Sequence, residues 1–537
     1  GIAEANLAAA LVTKINTAVP ADGAVTEQKL SSAVQAKLNA AYTGGTTQGM
    51  SGAQLRQMRL RLGCGAKKRM KGANLGNFFE VAWQGQNSSD WSKAKRVVRM
   101  CIEAGFDHIR LPIRWTSHMA STADGTIDPA FLAVVREVVD EIMLAGLVCI
   151  VNFHHYRQLE GDALNVSGQL GDPQNVLAAD VRPRITNGWT QITTAFLGYG
   201  DALIFELYNE AHGLLDETDS NQQATRWSLF YPQLAAAIRA VDPTRIMMLG
   251  GSNYNTTDGL NFLTKPDPAL GPWDVTYHNY LPPEHTHQGW DGRPTGLLMQ
   301  PSDRIRMRAS DVSARLWAES LGLTAHCGEF GCVDLAEDHV ASIAVRRREI
   351  ELAGNGWCVW IDWMNPALGG SDMLTPDLQW KPGVIDALFA PGEPVGAPAI
   401  PANILTLPTN QAWAQWGGTQ QPTVSASGRV TWPSAAARSA VAGVIAPPLA
   451  LAAGQKWVFA NIGLGNCRYT LGVRTKADPG GTYDLSAGFV YPGQTRVFTV
   501  PAAVGGNDPM NTWQITIQAE SATVGPAHFT PYICVLP

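Results

Sequence analysis

Between residues 68 and 388 the sequence alternates short apolar runs of strand length with longer amphipathic segments of helical period. This alternation limits the fold more than any other feature. Eight runs read as strands, at 72–76, 108–113, 148–153, 203–208, 246–249, 275–280, 323–327 and 356–361. Helical patterns fall between them at 91–104, 129–145, 181–199, 227–240, 302–321 and 336–353, with weaker patterns before 275 and after 361. Strands buried on both faces read as unbroken hydrophobic runs. Eight such βα units fit a closed α/β barrel, the (β/α)8 TIM barrel, better than an open sheet.

On such a barrel the chemistry collects at the C-terminal ends of the strands. The fourth run is followed by Asn209 and Glu210, and the seventh by Gly328 and Glu329. Two carboxylates on two strand ends of one barrel are the minimum machinery for splitting a glycosidic bond. Adjacent His154 and His155 invite a metal reading. No third ligand of suitable spacing accompanies them, and neighbouring strand residues point to opposite faces. No metal and no cofactor is expected in the chemistry.

The flanks have a different texture. Residues 1–45 carry a repeat in which the stretch 4–18 aligns with 27–41. Each copy spaces apolar residues four apart (Leu7, Leu11, Ile15; Leu30, Val34, Leu38), which makes a narrow stripe on a short helix. Such a helix is marginal alone and needs a partner, either its own barrel or copies from other subunits. A Gly/Thr/Ser-rich joint is read at 43–51, a linker at 46–67, a barrel domain at 68–390 and a proline-rich linker at 391–402. Residues 403–537 show short alternating runs (428–432, 455–460, 469–473, 495–500, 513–518) between turn residues, the pattern of an all-β sandwich.

A net charge of -6 over 537 residues leaves no basic footprint for nucleic acid and no polybasic patch for a membrane surface. No long uncharged apolar run predicts a membrane span, and no secretory signal is visible at the start of these residues. The eight cysteines lack metal-type spacing and read mostly as buried thiols. Cys467 and Cys534 are a candidate pair within the last domain. Seventeen tryptophans supply flat aromatic surface of the kind that packs cores and also suits sugar rings.

The barrel resembles glycoside hydrolase family 5, whose two catalytic glutamates end strands four and seven. The motifs appear in the family's order: Gly72-x-Asn74-Leu75-Gly76-Asn77-x-x-Glu80, His108-Ile109-Arg110-Leu111-Pro112, Asn152-Phe153-His154-His155-Tyr156 and Tyr208-Asn209-Glu210. His278-x-Tyr280, Thr286-His287-Gln288-Gly289, Gly328-Glu329-Phe330-Gly331 and Trp357-x-x-Trp360 follow.

The resemblance implies that Glu210 is the general acid/base, raised by a second carboxylate and apolar packing, and that Glu329 is an ionised nucleophile supported by Arg110 and Tyr280. It implies that Asn209 holds the sugar 2-hydroxyl and that His154 contacts hydroxyls, with His155 behind it or simply packed. Asn77, Glu80, His155, His278 and His287 become substrate-binding candidates. Trp360 is the candidate for stacking under the sugar, with Trp363 as its alternative and Trp83 as a further ring that stacks or packs.

The expected activity is retaining endo-hydrolysis of β-1,4-glucan, with β-mannan as an alternative. The 1–45 repeat resembles neck segments of phage tail fibres and tailspikes. It implies a homotrimer and an extracellular or virion, tail-associated setting. A non-catalytic polysaccharide-binding adhesin is the rival from another class, and a secreted bacterial endoglucanase is the other enzyme setting. For the C-terminal sandwich, carbohydrate binding through Trp413, Trp416 and Trp432 stands beside a spacer or assembly role.

Overall fold

The computed structural model describes residues 71–80, 92–162, 177–213, 220–336, 338–362 and 373–400, then the C-terminal strands between 405 and 535 with a few residues beside them. The 1–45 repeat, the 46–67 linker, most of the loop after the third strand, and Trp83, Trp363, Trp413, Trp416 and Trp432 lie outside the described residues.

Eight parallel strands close in chain order: β1 (Lys71–Leu75), β2 (His108–Leu111), β3 (Val148–Asn152), β4 (Leu203–Glu206), β5 (Met247–Gly250), β6 (Trp273–His278), β7 (Ala325–Phe330) and β8 (Gly356–Ile361). β8 returns to β1 in register, with Asn74 opposite Trp360. The outer ring is α1 (Ser92–Ala104), α2 (Pro129–Leu144), α3 (Val181–Ala195), α4 (Ser220–Val241), α5 (Thr257–Phe262), α6 (Pro301–Glu319), α7 (His339–Ala353) and α8 (Val384–Phe389). The weak patterns before β6 and after β8 thus hold the short helices α5 and α8. Helix α4 starts at Ser220 rather than at 227, because its first turns are polar and carry no apolar stripe.

Nearly every barrel-strand residue is buried, as the unbroken apolar runs require. Two ends differ from the sequence reading in ways that matter for the site. β4 stops at Glu206, two residues before the apolar run does. β7 runs through Glu329 to Phe330, and its pairing slips on both sides there: His278 lies opposite Glu329, and Phe330 opposite Val359. Such a bulge bends the strand and re-aims its side chains.

The C-terminal strands form two five-stranded sheets. One contains Thr423–Val424, Val430–Thr431, Lys456–Leu464, Thr495–Thr499 and His528–Val535. The other contains Leu405–Thr406, Ala440–Ile445, Cys467–Thr475, Asp478–Val490 and Thr512–Ala519. Cys467 and Cys534 fall on different sheets. The strand Lys456–Leu464 docks on the barrel: Val458 and Ala460 pack with Ile305 and Ala309 of α6. Gln494 also donates to Asp258 at 2.5 Å. Among the described residues, no helix is long and apolar enough to cross a membrane.

Candidate active site

An arginine inside a barrel must have its charge met, since an unpaired buried ion is strongly disfavoured. Arg110, fully buried on β2, has every donor used. Nε and Nη2 grip the Glu206 carboxylate from β4 at 2.6 and 2.7 Å. Nη1 donates to Asn74 Oδ1 at 2.7 Å and to Glu329 Oε1 at 2.6 Å. The remaining Nη2 donor reaches Asn209 Oδ1 at 2.6 Å. One guanidinium therefore ties strands β1, β2, β4 and β7 together and sets the position of Glu329.

Glu329 Oε2 accepts the Tyr280 hydroxyl at 3.1 Å. The bulge that presents Glu329 needs Gly328, because a Cβ there would lie 2.3 Å from Thr276 Oγ1. Glu210 is aimed by its backbone, which turns left-handed at φ 46° just beyond β4. A left-handed non-glycine residue costs free energy and persists only where its surroundings enforce it. His278 sits between the two acids, with Nδ1 at 2.9 Å from Glu210 Oε1 and 3.6 Å from Glu329 Oε2. One oxygen of each carboxylate and a ring nitrogen of His278 lie within 4.8 Å of one another. The pair from distant parts of the chain thus faces one small gap at the same mouth of the barrel.

Burial is the largest influence on both carboxyls and raises each. At Glu329 it prevails over the opposing charges of His278 and Arg110, and the carboxyl is held above its ordinary value. At Glu210 the hydrogen bond and charge of His278, joined by the charge of His155, prevail, and the carboxyl is held below it. The sequence reading expects the reverse order at Glu210. The His278 ring, which that reading placed on the substrate, is the physical reason for the difference.

The remaining candidates divide. His154 is buried against Trp360, with ring centroids 6.2 Å apart. Asn152, whose Oδ1 accepts from Ile113 N, turns its Nδ2 donor to His154 Nδ1 at 3.2 Å. The other ring nitrogen of His154 is thereby the N–H. Burial, with the positive charges of His155 and Arg110, keeps this imidazole neutral. His155 turns away at φ 59° and pairs with Glu160 at 3.1 Å, the supporting position that was its alternative. Gly76 lets the backbone pass under Trp360, since a Cβ there would lie 2.6 Å from the indole.

Asn209 keeps its Nδ2 buried and unbonded to protein, next to Glu210. Glu80 is buried and uses its two carboxyl oxygens to accept from the backbone N–H groups of Asn77 and Phe79. Burial pushes its pKa up to about 8. Asn77 occupies the left-handed position of that turn at φ 63°. Glu80 therefore shapes the turn that carries Asn77. His287 packs on Tyr280 and Trp290, with centroids 5.2 and 4.6 Å apart, and its Nδ1 lies 2.8 Å from the Thr286 hydroxyl. It steadies Tyr280 from behind.

Glu206 and Asn74 escaped the sequence reading as site residues. The available signal was a glutamate inside an otherwise apolar strand run. A carboxylate there requires a cation, and Arg110 in a similar run two strands away is the one that meets it.

Comparison with known proteins agrees with this architecture. Residues 71–366, more than half of the chain, match the family described as Cellulase (glycosyl hydrolase family 5). Endoglucanase H of Acetivibrio thermocellus is 28% identical over 343 residues, which are 61% of this chain and 33% of that protein. Endoglucanase 1 of Ruminococcus albus is 27% identical over 364 residues, 62% of this chain and 82% of that one. The chain thus spans about a third of the first relative's length and about four fifths of the second's. Among solved structures, Thermotoga maritima Cel5A in complex with mannotriose superposes with a TM-score of 0.50 at 25% identity, covering 60% of this chain and 98% of that one. A glycoside hydrolase 5 lichenase from Caldicellulosiruptor sp. F32, complexed with cellotetraose, shares the fold with a TM-score of 0.51 at 20% identity, over 61% and 94% of the two chains.

Proposed function

The chain belongs to glycosyl hydrolase family 5, the cellulase family, and on that footing we propose that it is a retaining endo-β-1,4-glucanase. The observation that carries the reading is the pair of facing carboxylates, Glu210 and Glu329, with oxygens within 4.8 Å across His278. Retaining glycosidases hold their two carboxyls about 5–5.5 Å apart, and inverting ones leave room for a water at about 6.5–9.5 Å. The short separation favours double displacement.

In that chemistry Glu329 attacks the anomeric carbon, and the glycosidic oxygen departs with a proton from Glu210. Arg110 and Tyr280 keep the attacking oxygens in place. Glu210 then takes a proton from water, which releases the sugar from Glu329. His278 Nδ1, 2.9 Å from Glu210 Oε1, holds that carboxyl in place, and a bound sugar that excludes water favours its neutral, proton-donating form. Asn209 Nδ2 is the donor offered to the 2-hydroxyl, His154 reaches neighbouring hydroxyls, and Trp360 stacks beneath the ring.

Glu210→Gln and Glu329→Gln should each lower reducing-sugar release from carboxymethylcellulose by at least about a thousandfold, by analogy with the loss of other catalytic groups that act as a unit. Parent-level release from both variants would refute the assignment. An NMR time course should show the β-anomer first; the α-anomer would refute retention alone. β-1,4-Mannan is the alternative polymer, since the Thermotoga maritima structure holds mannotriose.

The 1–45 repeat favours one biological setting, a trimeric tail-associated depolymerase acting on cellulose or exopolysaccharide outside a bacterial host. There the C-terminal sheets serve carbohydrate binding or assembly. Light scattering of the full chain tests the trimer, and a monomer at micromolar concentration would remove this setting.

A further inference from the structure

A second convergence of ligand-type side chains lies where the chain after β3 meets the chain after β4. Glu160 closes the short helical turn Arg157–Glu160, and Asp162 follows across Gly161 at φ 81°. His212 lies two residues beyond Glu210. The two segments touch through Gly213, where a Cβ would lie 1.9 Å from the Glu160 carbonyl oxygen. One donor atom from each of Glu160, Asp162 and His212 lies within 4.8 Å of the other two.

The hydrogen bonds around this cluster are one positive centre short. His212 Nδ1 lies 2.7 Å from the Glu210 carbonyl oxygen, which can only accept, so Nδ1 carries the proton. In the neutral ring Nε2 is then a lone pair, and it faces Asp162 Oδ2 at 3.4 Å. Two acceptors so placed need a proton or a cation between them. A proton on Nε2 would serve Asp162 alone. Glu160 Oε1 is saturated by the Tyr208 hydroxyl at 2.6 Å, His155 Nδ1 at 3.1 Å and Tyr156 N at 3.3 Å. Its Oε2, on a side chain only 1% exposed, has no donor among the described residues. A single cation between Glu160, Asp162 and His212, each of which brings one ligand atom to within 4.8 Å of the other two, answers the cluster.

We propose that Glu160, Asp162 and His212 form a binding site for a divalent transition-metal ion of the zinc class. A tetrahedral ion with bonds of about 2.0–2.2 Å holds its ligand atoms about 3.4 Å apart, which is the spacing His212 Nε2 and Asp162 Oδ2 already have. Asp162, 46% exposed, is free to close the remaining distance to Glu160 and leaves a side open for water. An imidazole with two carboxylates suits zinc and its neighbours better than calcium or magnesium, which favour oxygen alone. The His212 Nδ1–H bond to a backbone carbonyl is the outer contact that metal-bound histidines make. The Tyr254 ring, stacked on His212 at 4.2 Å, holds the imidazole plane. The ion would pin the chain after β3 to the left-handed backbone of Glu210, so its role is positioning.

The test uses the full chain, stripped with EDTA, desalted and titrated with zinc chloride alone, with metal content measured by mass spectrometry. One zinc per chain and a higher Tm with zinc are expected. Asp162→Asn, whose metal-free Tm should equal that of the metal-free parent, should bind zinc at least tenfold more weakly, and His212→Gln likewise. Absence of binding would overturn the proposal in favour of a proton shared by His212 and Asp162. Binding that Asp162→Asn leaves unchanged would also overturn it. It would place the ion elsewhere, as among Glu210, His278 and Glu329, where zinc would also inhibit hydrolysis.

Discussion

Replacing Glu206 by glutamine separates what the buried ion pair does for the fold from what it does for the chemistry. Glu206 never faces a sugar. Its side chain is fully buried and accepts two short bonds from Arg110, at 2.6 and 2.7 Å. Glutamine is nearly isosteric, but it keeps one acceptor and sets an NH2 group against a guanidinium that can only donate. Removing one partner of a buried ion pair costs about 3–5 kcal/mol, and at about 2.1 cal/mol/K per residue a barrel of about 320 residues loses roughly 1.5 °C of Tm per kcal/mol. The Tm should therefore fall by roughly 5–8 °C.

The effect on activity has a different sign. The negative charge of Glu206 is one of the influences that raise the Glu329 carboxyl. Two carboxylates on separate edges of one guanidinium sit roughly 6 Å apart, and unit charges there repel by about 3 kcal/mol at an effective dielectric of 20. Arg110 offsets part of this, so the Glu329 carboxyl should be held lower once the charge is gone. The acidic limb of the pH profile of kcat/KM, which reports the free enzyme's nucleophile, should then move to lower pH. Thermal unfolding and a pH series on carboxymethylcellulose at a temperature well below both melting points read the two effects. A variant as stable as the parent, or an acidic limb displaced to higher pH, would refute the assigned coupling.

Tyr280→Phe removes a neutral donor from Glu329 and should move the same limb the opposite way, to higher pH. It should also lower kcat/KM by about 10–100-fold, the equivalent of a hydrogen bond to a charged group; an unchanged value would remove Tyr280 from the machinery. Asp311 offers a stability test remote from the cleft. Burial pushes its carboxyl up to about 7, while Oδ1 accepts from Tyr277 and Asn279 at 2.8 and 2.7 Å. Between pH 4 and 7 the folded chain then holds a proton that the unfolded chain has lost. This contribution is full below about pH 4 and is lost as pH rises, at about 1.4 kcal/mol per unit. Asp311→Asn should flatten that slope in urea unfolding between pH 5 and 7, and a slope equal to the parent's would contradict the shift.

The barrel was legible because each strand announces itself as a short apolar run and the helices between recur at helical period. Glu210 and Glu329 were legible because each stands just past such a run. Three features of the site were hidden. His278 lies between both acids only because the bulge at Gly328–Glu329 slips the pairing of β6 and β7. Glu206 became visible as a partner of Arg110 once the barrel closed and brought β2 and β4 to the same interior. Glu80, which matches a substrate-binding motif, spends its carboxyl oxygens on two backbone N–H groups of its own turn.

The sequence by itself determined the alternating order of elements and the residues that end the strands, because burial and period act locally along the chain. Only the tertiary structure decided how the charges are shared: which acid Arg110 holds, which one His278 lowers, and that Glu160, Asp162 and His212 meet. Those outcomes depend on distances of a few ångströms between groups far apart in sequence, and electrostatic interactions in a dry interior change steeply over such distances.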